Sequence, residues 1–170
     1  MEILMIEIER RFLVPLDVAK KQANKSPSFY IEQTYLPDCG KWQIRSRMKL
    51  HDGKRTYIMT MKRKNGHGSS IELEETTTSA MHTKIRSQTG MAIEKSRTCH
   101  KMKSGHVIEL DIFHDESLIP GYAIAEIEVE SMEDKINIPD WFGEEITGRS
   151  EFSNAKIFKR MLERANAVPA

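Results

Sequence analysis

Neither sign of charge dominates this chain. Lys and Arg number 26 and Asp and Glu 25 over 170 residues, a formal net charge of +1. A general nucleic-acid binder carries a clear basic excess, so that class is set aside. Long hydrophobic runs are missing too, and no stretch nears the roughly 20 apolar residues of a membrane span. Cysteine is scarce. Cys39 and Cys99 form no CxxC spacing, which excludes a zinc ribbon and a disulfide scaffold. The opening Met1-Glu2-Ile3-Leu4-Met5-Ile6-Glu7 lacks the basic segment and the apolar stretch of a signal peptide. Reduced thiols in a cytoplasmic protein are the expectation. Internal repeats and low-complexity linkers are absent, so a single domain over residues 1–170 is expected.

What the chain does have is alternation with period two. Strands are expected near 2–14, 29–36, 41–49, 54–63, 69–76, 91–101, 105–113 and 123–130. His51-Asp52-Gly53 and Asn65-Gly66-His67-Gly68 are turn signals, and Gly105-His106 marks another turn. Short helices are expected after Pro15, with Asp17 as N-cap, and over 79–89. The tail from about 151 reads as a helix, with Phe152, Ala155, Phe158, Met161, Leu162 and Ala165 on one face. Eight strands and three helices predict an α+β or barrel layout.

Charge follows that alternation. Six strands carry two charged residues at i and i+2, always of one sign: Glu7/Glu9, Arg45/Arg47, Glu72/Glu74, Lys95/Arg97, Glu109/Asp111 and Glu126/Glu128. Residues i and i+2 share a face of a strand. The other face is often apolar, as at Ile8, Ile44, Leu73, Leu110 and Ile127. A solvated face has no reason to segregate signs strand by strand, and like-charged neighbours cost energy. The pattern predicts a sheet closed around a charged interior. Buried charges need partners or bound ions. Acidic pairs suit hard cations, and basic pairs suit phosphates. With Arg11, Lys62 and Arg149 added, the set holds eight acids and seven bases. A triphosphate of about −4 to −5 with two divalent cations leaves such a site near neutral.

In order along the chain, Glu7-Ile8-Glu9-Arg10-Arg11, Ile31-Glu32-Gln33-Thr34-Tyr35-Leu36, Arg45-Ser46-Arg47, Thr60-Met61-Lys62, Glu72-Leu73-Glu74, Lys95-Ser96-Arg97, Glu109-Leu110-Asp111 and Ala125-Glu126-Ile127-Glu128 resemble the motif series of the CYTH superfamily, the triphosphate tunnel metalloenzymes. Trp141-Phe142-Gly143-Glu144-Glu145-Ile146-Thr147 and Phe152-Ser153-Asn154 resemble its C-terminal segment. The look is that of the short bacterial tripolyphosphatase-type members. The resemblance implies an eight-stranded antiparallel closed β-barrel, a tunnel flanked by a few helices including a C-terminal one. It implies metal-dependent hydrolysis of a triphosphate, with inorganic triphosphate first. Nucleoside or thiamine triphosphatase, adenylate cyclase and a non-catalytic polyphosphate or nucleotide sensor stand as alternatives.

The same resemblance implies the site residues. Arg11, Arg45, Arg47, Lys62, Lys95, Arg97 and Arg149 would hold the triphosphate. Glu7, Glu9, Glu72, Glu74, Glu109, Asp111, Glu126 and Glu128 would hold Mg²⁺ or Mn²⁺. Glu7, Glu9, Lys95 and Arg97 would carry catalysis. Nucleic acid and membrane partners are not expected, and the chain is expected to be a monomer or homodimer. The chain departs from the pattern twice: Arg11 stands where the signature has Lys, and Ser70 where many members have Arg.

The remaining residues carry less. His51, His67, His106 and His114 fall in or near turns and are expected at the surface. No serine or cysteine pairs with a histidine in a recognisable motif, so covalent catalysis is not expected. Of Lys62-Arg63-Lys64, only Lys62 is expected to point inward.

Overall fold

The computed structural model describes residues 5–65 and 69–167. Its strands are β1 (Met5–Pro15), β2 (Ser28–Leu36), β3 (Gln43–His51), β4 (Lys54–Lys64), β5 (Ser69–Thr76), β6 (Ile93–Lys101), β7 (Val107–Phe113) and β8 (Tyr122–Val129). The helices are α1 (Leu16–Ala23), α2 (Ser79–Ser87) and α3 (Asn154–Ala167), the last preceded by a 3₁₀ turn over Ser150–Phe152. Every strand pairing is antiparallel, and the sheet closes in the order β1-β5-β4-β3-β2-β6-β7-β8. The expected closed eight-stranded barrel is therefore present. Closure gives every strand a neighbour on both sides.

Local chemistry places the turns and caps. β3 and β4 join through Asp52 and Gly53, at φ 48° and 74°, the left-handed geometry that Asp and Gly tolerate. α1 starts at Leu16 behind Pro15 with no side-chain cap, so Asp17 sits in the first turn and is not the expected N-cap. Proline suits such a start, because its ring fixes φ and the missing N–H is not needed there. α2 has a side-chain cap, with Thr78 accepting from the Met81 amide at 3.1 Å. The turn signal at Asn65-Gly66-His67-Gly68 falls mostly outside the described residues.

Two apolar clusters hold the barrel. Outside the wall, Phe12, Val14, Ile108, Leu110, Ala123, Ala125, Ile127 and Val129 pack beneath Ala19 of α1 and Ile136. At one end of the barrel the inward positions turn from charged to apolar: Leu13, Tyr35, Ile93, Phe113 and Ile124. α3 sets Ile157 and Phe158 on them, with Ile146 alongside. The tail helix is thus an apolar stopper for that end. Ile157, not among the expected face residues, is fully buried. On the wall of β3, β4 and β5, Ile44 and Leu73 are only half-buried.

The C-terminal segment also completes the wall. β5 pairs with β1 only over Met5 to Ile8. Beyond that point residues 143–146 take up the freed edge: Gly143 N–H donates to the Leu13 carbonyl at 2.8 Å, Leu13 N–H to Glu144 at 2.9 Å and Ile146 N–H to Arg11 at 2.8 Å. A Cβ added at Gly143 would lie 2.9 Å from the Leu13 carbonyl oxygen. Both atoms belong to backbone that is hydrogen-bonded here, so neither can move aside cheaply. Gly143→Ala is expected to cost about 1–3 kcal/mol. Thermal and denaturant melts read this directly, and an unchanged midpoint would refute the close approach.

Candidate functional site: a tunnel with one acidic and one basic half

The barrel encloses a cavity of about 1040 Å³. Its lining comes from the inward positions of the strands, two residues apart. Read around the closed sheet, β7, β8, β1 and β5 stand side by side and carry Glu109/Asp111, Glu126/Glu128, Glu7/Glu9 and Glu72/Glu74. The next four positions, β4, β3, β2 and β6, carry Lys62, Arg45/Arg47, the neutral Gln33/Tyr35 and Lys95/Arg97. The tunnel wall is divided into a mainly acidic and a mainly basic half, with Arg11 of β1 set among the acids and paired with Glu126. In chain order the signs are interleaved; barrel order sorts them.

The two seams between the halves differ. At the β6–β7 seam the ion pairs are tight. Lys95 Nζ donates to Asp111 at 2.5 Å, and Arg97 donates to both Asp111 oxygens at 2.5 and 2.6 Å. Arg97 also donates to Glu126 at 3.1 Å and to Glu109. Burial works to raise the Asp111 carboxyl, but Arg97 and then Lys95 outweigh it and hold it well below the usual carboxylate range. Burial likewise opposes ionisation of Glu126, yet Arg11 and Arg97 bring it down to about 2.

At the β4–β5 seam the arginines are held loosely. Arg45 and Arg47 each reach Glu74 at 3.5 Å, and Arg45 lies 3.8 Å from Glu72. Glu74 accepts its closest bond from the Thr60 hydroxyl at 2.7 Å. Arg45 Nε is buried with no hydrogen-bond partner. Burial, and then the neighbouring Arg45 charge, pulls Arg47 below its ordinary value. These guanidiniums present donors that the protein itself does not satisfy, as an incoming phosphate requires.

The opposite imbalance lies at Glu7, Glu9 and Glu72. Lys62 contacts Glu72 and lies 3.5 Å from Glu7. Arg11 stands 3.6 Å from Glu9 and Arg45 3.8 Å from Glu72, yet these contacts do not offset burial and the mutual repulsion of the three carboxylates. Burial first, then the Glu72 charge, pushes Glu7 up to about 7. Burial and then Glu126 raise Glu9. Glu72 Oε1 is buried against Lys62 Nζ. Among the described residues no three His, Cys, Asp or Glu side chains are gathered into a ready-made metal cage. The donor chemistry of this corner nevertheless fits a hard divalent cation, which takes carboxylate oxygens and supplies the missing positive charge.

The structure brings all the sequence-derived candidates but one around the tunnel. Arg149 lies apart: 41% exposed, it pairs with Glu144 at 2.7 Å and Glu151 at 2.9 Å. It lines a second cavity of about 100 Å³ with Lys64 and Ser70. Lys64, expected to point away, therefore borders an opening beside the tunnel. Arg11, in the lysine position, is tied at 2.9 Å to Glu126 and at 3.1 Å to the Phe152 carbonyl. Its reach couples the tunnel to the turn before α3. Thr60, Gln33 and Tyr35 were missed by sequence reasoning, although each sits two residues from another inward position. His82, which sequence reasoning did not single out, is buried. Ser46 lies 2.8 Å from its Nδ1, a pairing that no motif announces. Both side chains lie outside the barrel wall and are closed to solvent, so no nucleophile is available there.

The CYTH domain family model matches residues 5–159. This chain belongs to the CYTH domain family. No curated protein matches it. Among solved structures, the inorganic triphosphatase NE1496 aligns with a TM-score of 0.60 at 27% identity, over 96% of this chain and 99% of that one. PH1819 from Pyrococcus horikoshii OT3 aligns at 0.54 and 15% identity, over 94% and 86%. A putative adenylate cyclase, bh2851 from Bacillus halodurans, aligns at 0.51 and 14% identity, over 96% and 92%. The last two share the fold alone. The CYTH barrel expected from the motif series is thus recovered over nearly the whole chain.

The imbalance at Glu7 sets a pH dependence for the metal-free CYTH protein. Glu7 holds its proton more tightly folded, near 7, than unfolded, at an ordinary 4.5. Its contribution to stability is complete below pH 4.5 and is lost as pH rises through 7. Glu126 runs the other way, its contribution lost as pH falls from 4.5 towards 2. Thermal midpoints in chelator are expected to fall between pH 5 and pH 8. Glu7→Gln is expected to flatten that fall. A variant whose pH profile overlays the unmodified protein would exclude the assignment.

Proposed function

We propose that this CYTH protein hydrolyses a triphosphate, inorganic triphosphate before others, inside the tunnel and with Mg²⁺ or Mn²⁺. One observation carries the reading: an acidic and a basic half-wall line one and the same cavity. Such a wall matches a polyanion and the cations that accompany it. The alignment with the inorganic triphosphatase NE1496 over 99% of that chain supports the same activity.

Arg45, Arg47 and Lys62 are the clamp. Arg45 and Arg47 hold unspent donors, and Lys62 adds charge beside them. Each would bind phosphate oxygens and fix the chain along the tunnel. Lys95 and Arg97 are already committed to Asp111. They act as a fixed positive wall that stabilises charge developing on the transferring and leaving phosphate groups. Glu7 and Glu9, with Glu72 beside them, would hold the metal, which when bound orients and acidifies water. Glu74, Glu109, Asp111, Glu126 and Glu128 complete the acidic half, but Asp111 and Glu126 spend their charge on Arg97, Lys95 and Arg11. In the reaction water attacks a terminal phosphorus, a phosphoanhydride bond breaks, and orthophosphate and pyrophosphate leave. A carboxylate of the acidic half takes the water's proton. Arg149 would contribute only from the side opening. The unpaired thiols of Cys39 and Cys99 support a reducing, cytoplasmic setting. Among the described residues no helix is long and apolar enough to cross a membrane.

The test is a panel of inorganic triphosphate, ATP, thiamine triphosphate and pyrophosphate with Mg²⁺ or Mn²⁺, following phosphate and cyclic AMP. Inorganic triphosphate should give the highest kcat/KM, and excess chelator should abolish turnover. Cyclic AMP accumulating from ATP would establish a cyclase instead, and binding without turnover a sensor.

Arg47→Ala separates site from scaffold. It should lower kcat/KM by about 100-fold or more, the scale of one charge-stabilising donor. Stability should change by less than about 1 kcal/mol, because the Arg47 contact with Glu74 is weak and Arg45 repels it. Full activity in the folded variant would remove Arg47 from the site.

A further inference from the structure

Behind the basic half of the wall, on the outside of the barrel, lies a second polar network that plays no part in the tunnel itself. His82, on α2, reaches Ser46 of β3 with Nδ1 at 2.8 Å and Glu32 of β2 with Nε2 at 3.0 Å. Arg86, one turn on, donates to Glu32 at 3.3 Å and pairs with it at 3.1 Å. Ser46 is fully buried, His82 is 5% exposed and Glu32 9%. A carboxylate accepts only, so Nε2 carries a proton towards Glu32. With the imidazole neutral, Nδ1 then accepts from the Ser46 hydroxyl. The Tyr57 ring stands 5.6 Å from the imidazole. The Ser46 hydroxyl, both imidazole nitrogens and both Glu32 oxygens each have a partner, which is how a buried network of this kind stays stable.

Ser46 sits between Arg45 and Arg47 on β3. Its side chain points out to α2 while theirs point in. The ion pairs of those two arginines with Glu74 stretch to 3.5 Å, whereas Arg97 is held at 2.5 to 2.6 Å. They also repel each other. The ladders to β2 and β4 hold the backbone of the strand that carries them, and the back-side contact of Ser46 adds a side-chain anchor between the two. We infer that His82 is a positioning residue: through Ser46 it fixes, from outside the barrel, the strand segment that presents Arg45 and Arg47 to the substrate. This rests on the proposed clamp. A simple staple holding α2 on the barrel is the competing account, and Ile85 is the one buried apolar side chain that α2 contributes.

The two accounts separate by variant. Ser46→Ala deletes one hydroxyl and keeps the His82–Glu32 bond. It should raise the KM for inorganic triphosphate with Mg²⁺, and the calorimetric Kd for the same pair, by roughly five- to twentyfold. Its kcat should stay within about twofold, as for lost uniform binding. His82→Ala should do the same and also lower Tm. His82→Gln can donate to Glu32 from near the Nε2 position but offers Ser46 no Nδ1, so it should recover Tm without recovering Kd. If folded Ser46→Ala binds and turns over like the unmodified protein, or if His82→Gln restores Kd together with Tm, α2 is merely stapled and the inference fails. Failure of the unmodified protein to bind triphosphate in the calorimeter would overturn the clamp and this inference together. Unmodified binding with unaltered Ser46→Ala would overturn this inference alone.

Discussion

Charge shut inside a closed barrel has to be answered by charge on another strand, and Asp111 with Arg97 and Lys95 is where that demand is met most tightly. The rest of the tunnel is arranged around this locked seam. Removing a lone partner from such a pair would leave an uncompensated buried charge, which proteins tolerate poorly. The seam therefore works as scaffold as much as site. It fixes β6 against β7, and through Arg97, Glu126 and Arg11 it runs on to β8, β1 and the Phe152 carbonyl. α3 and its apolar stopper are joined to the charged tunnel by that chain of contacts.

The rest of the wall is left unbalanced. Acid is in excess at Glu7, Glu9 and Glu72, and unspent guanidinium donors collect at Arg45 and Arg47. The halves cannot neutralise each other across a cavity of about 1040 Å³, because Coulomb attraction falls with distance and the cavity admits water. The proposed metal and polyphosphate would meet both excesses together. The repulsion that folding alone leaves unrelieved would then be recovered as stability on binding. Preorganised charge of this kind is the means by which an enzyme stabilises a transition state without reorganising at the moment of reaction.

Much of this is legible in the amino-acid pattern. Period-two alternation locates the eight strands, and same-sign pairs at i and i+2 identify the inward face of six of them. The inward set at Glu7, Glu9, Arg45, Arg47, Lys62, Glu72, Glu74, Lys95, Arg97, Glu109, Asp111, Glu126 and Glu128 needs only strand geometry and the motif series. Arg149 could not be placed this way, because a loop residue has no alternation to orient it; its guanidinium is taken by Glu144 and Glu151. His82 and Ser46 escape because they are 36 positions apart and each looks ordinary alone. The stopper escapes for a similar reason: Leu13, Ile93, Phe113 and Ile124 read as generic core, and nothing local says that α3 covers them.

The chain by itself determined which side chains share a strand face, since backbone pleating forces residues two apart to the same side. It also determined that the inner charges nearly cancel. Which strands become neighbours was decided only in three dimensions. Along the chain the charged strands run acidic, basic, basic, acidic, basic, acidic, acidic, and nothing local says where each joins the sheet. Inserting β5 between β1 and β4, with α2 carrying the chain across the outside from β5 to β6, gathers the four acidic strands on one side and the basic ones on the other. That sorting depends on long-range pairing and closure, which cost chain entropy and are rewarded only when the whole barrel forms. Strand alternation makes a charged interior; barrel order makes a polarised one, with the proposed metal corner and the proposed phosphate clamp meeting where β5 joins β4.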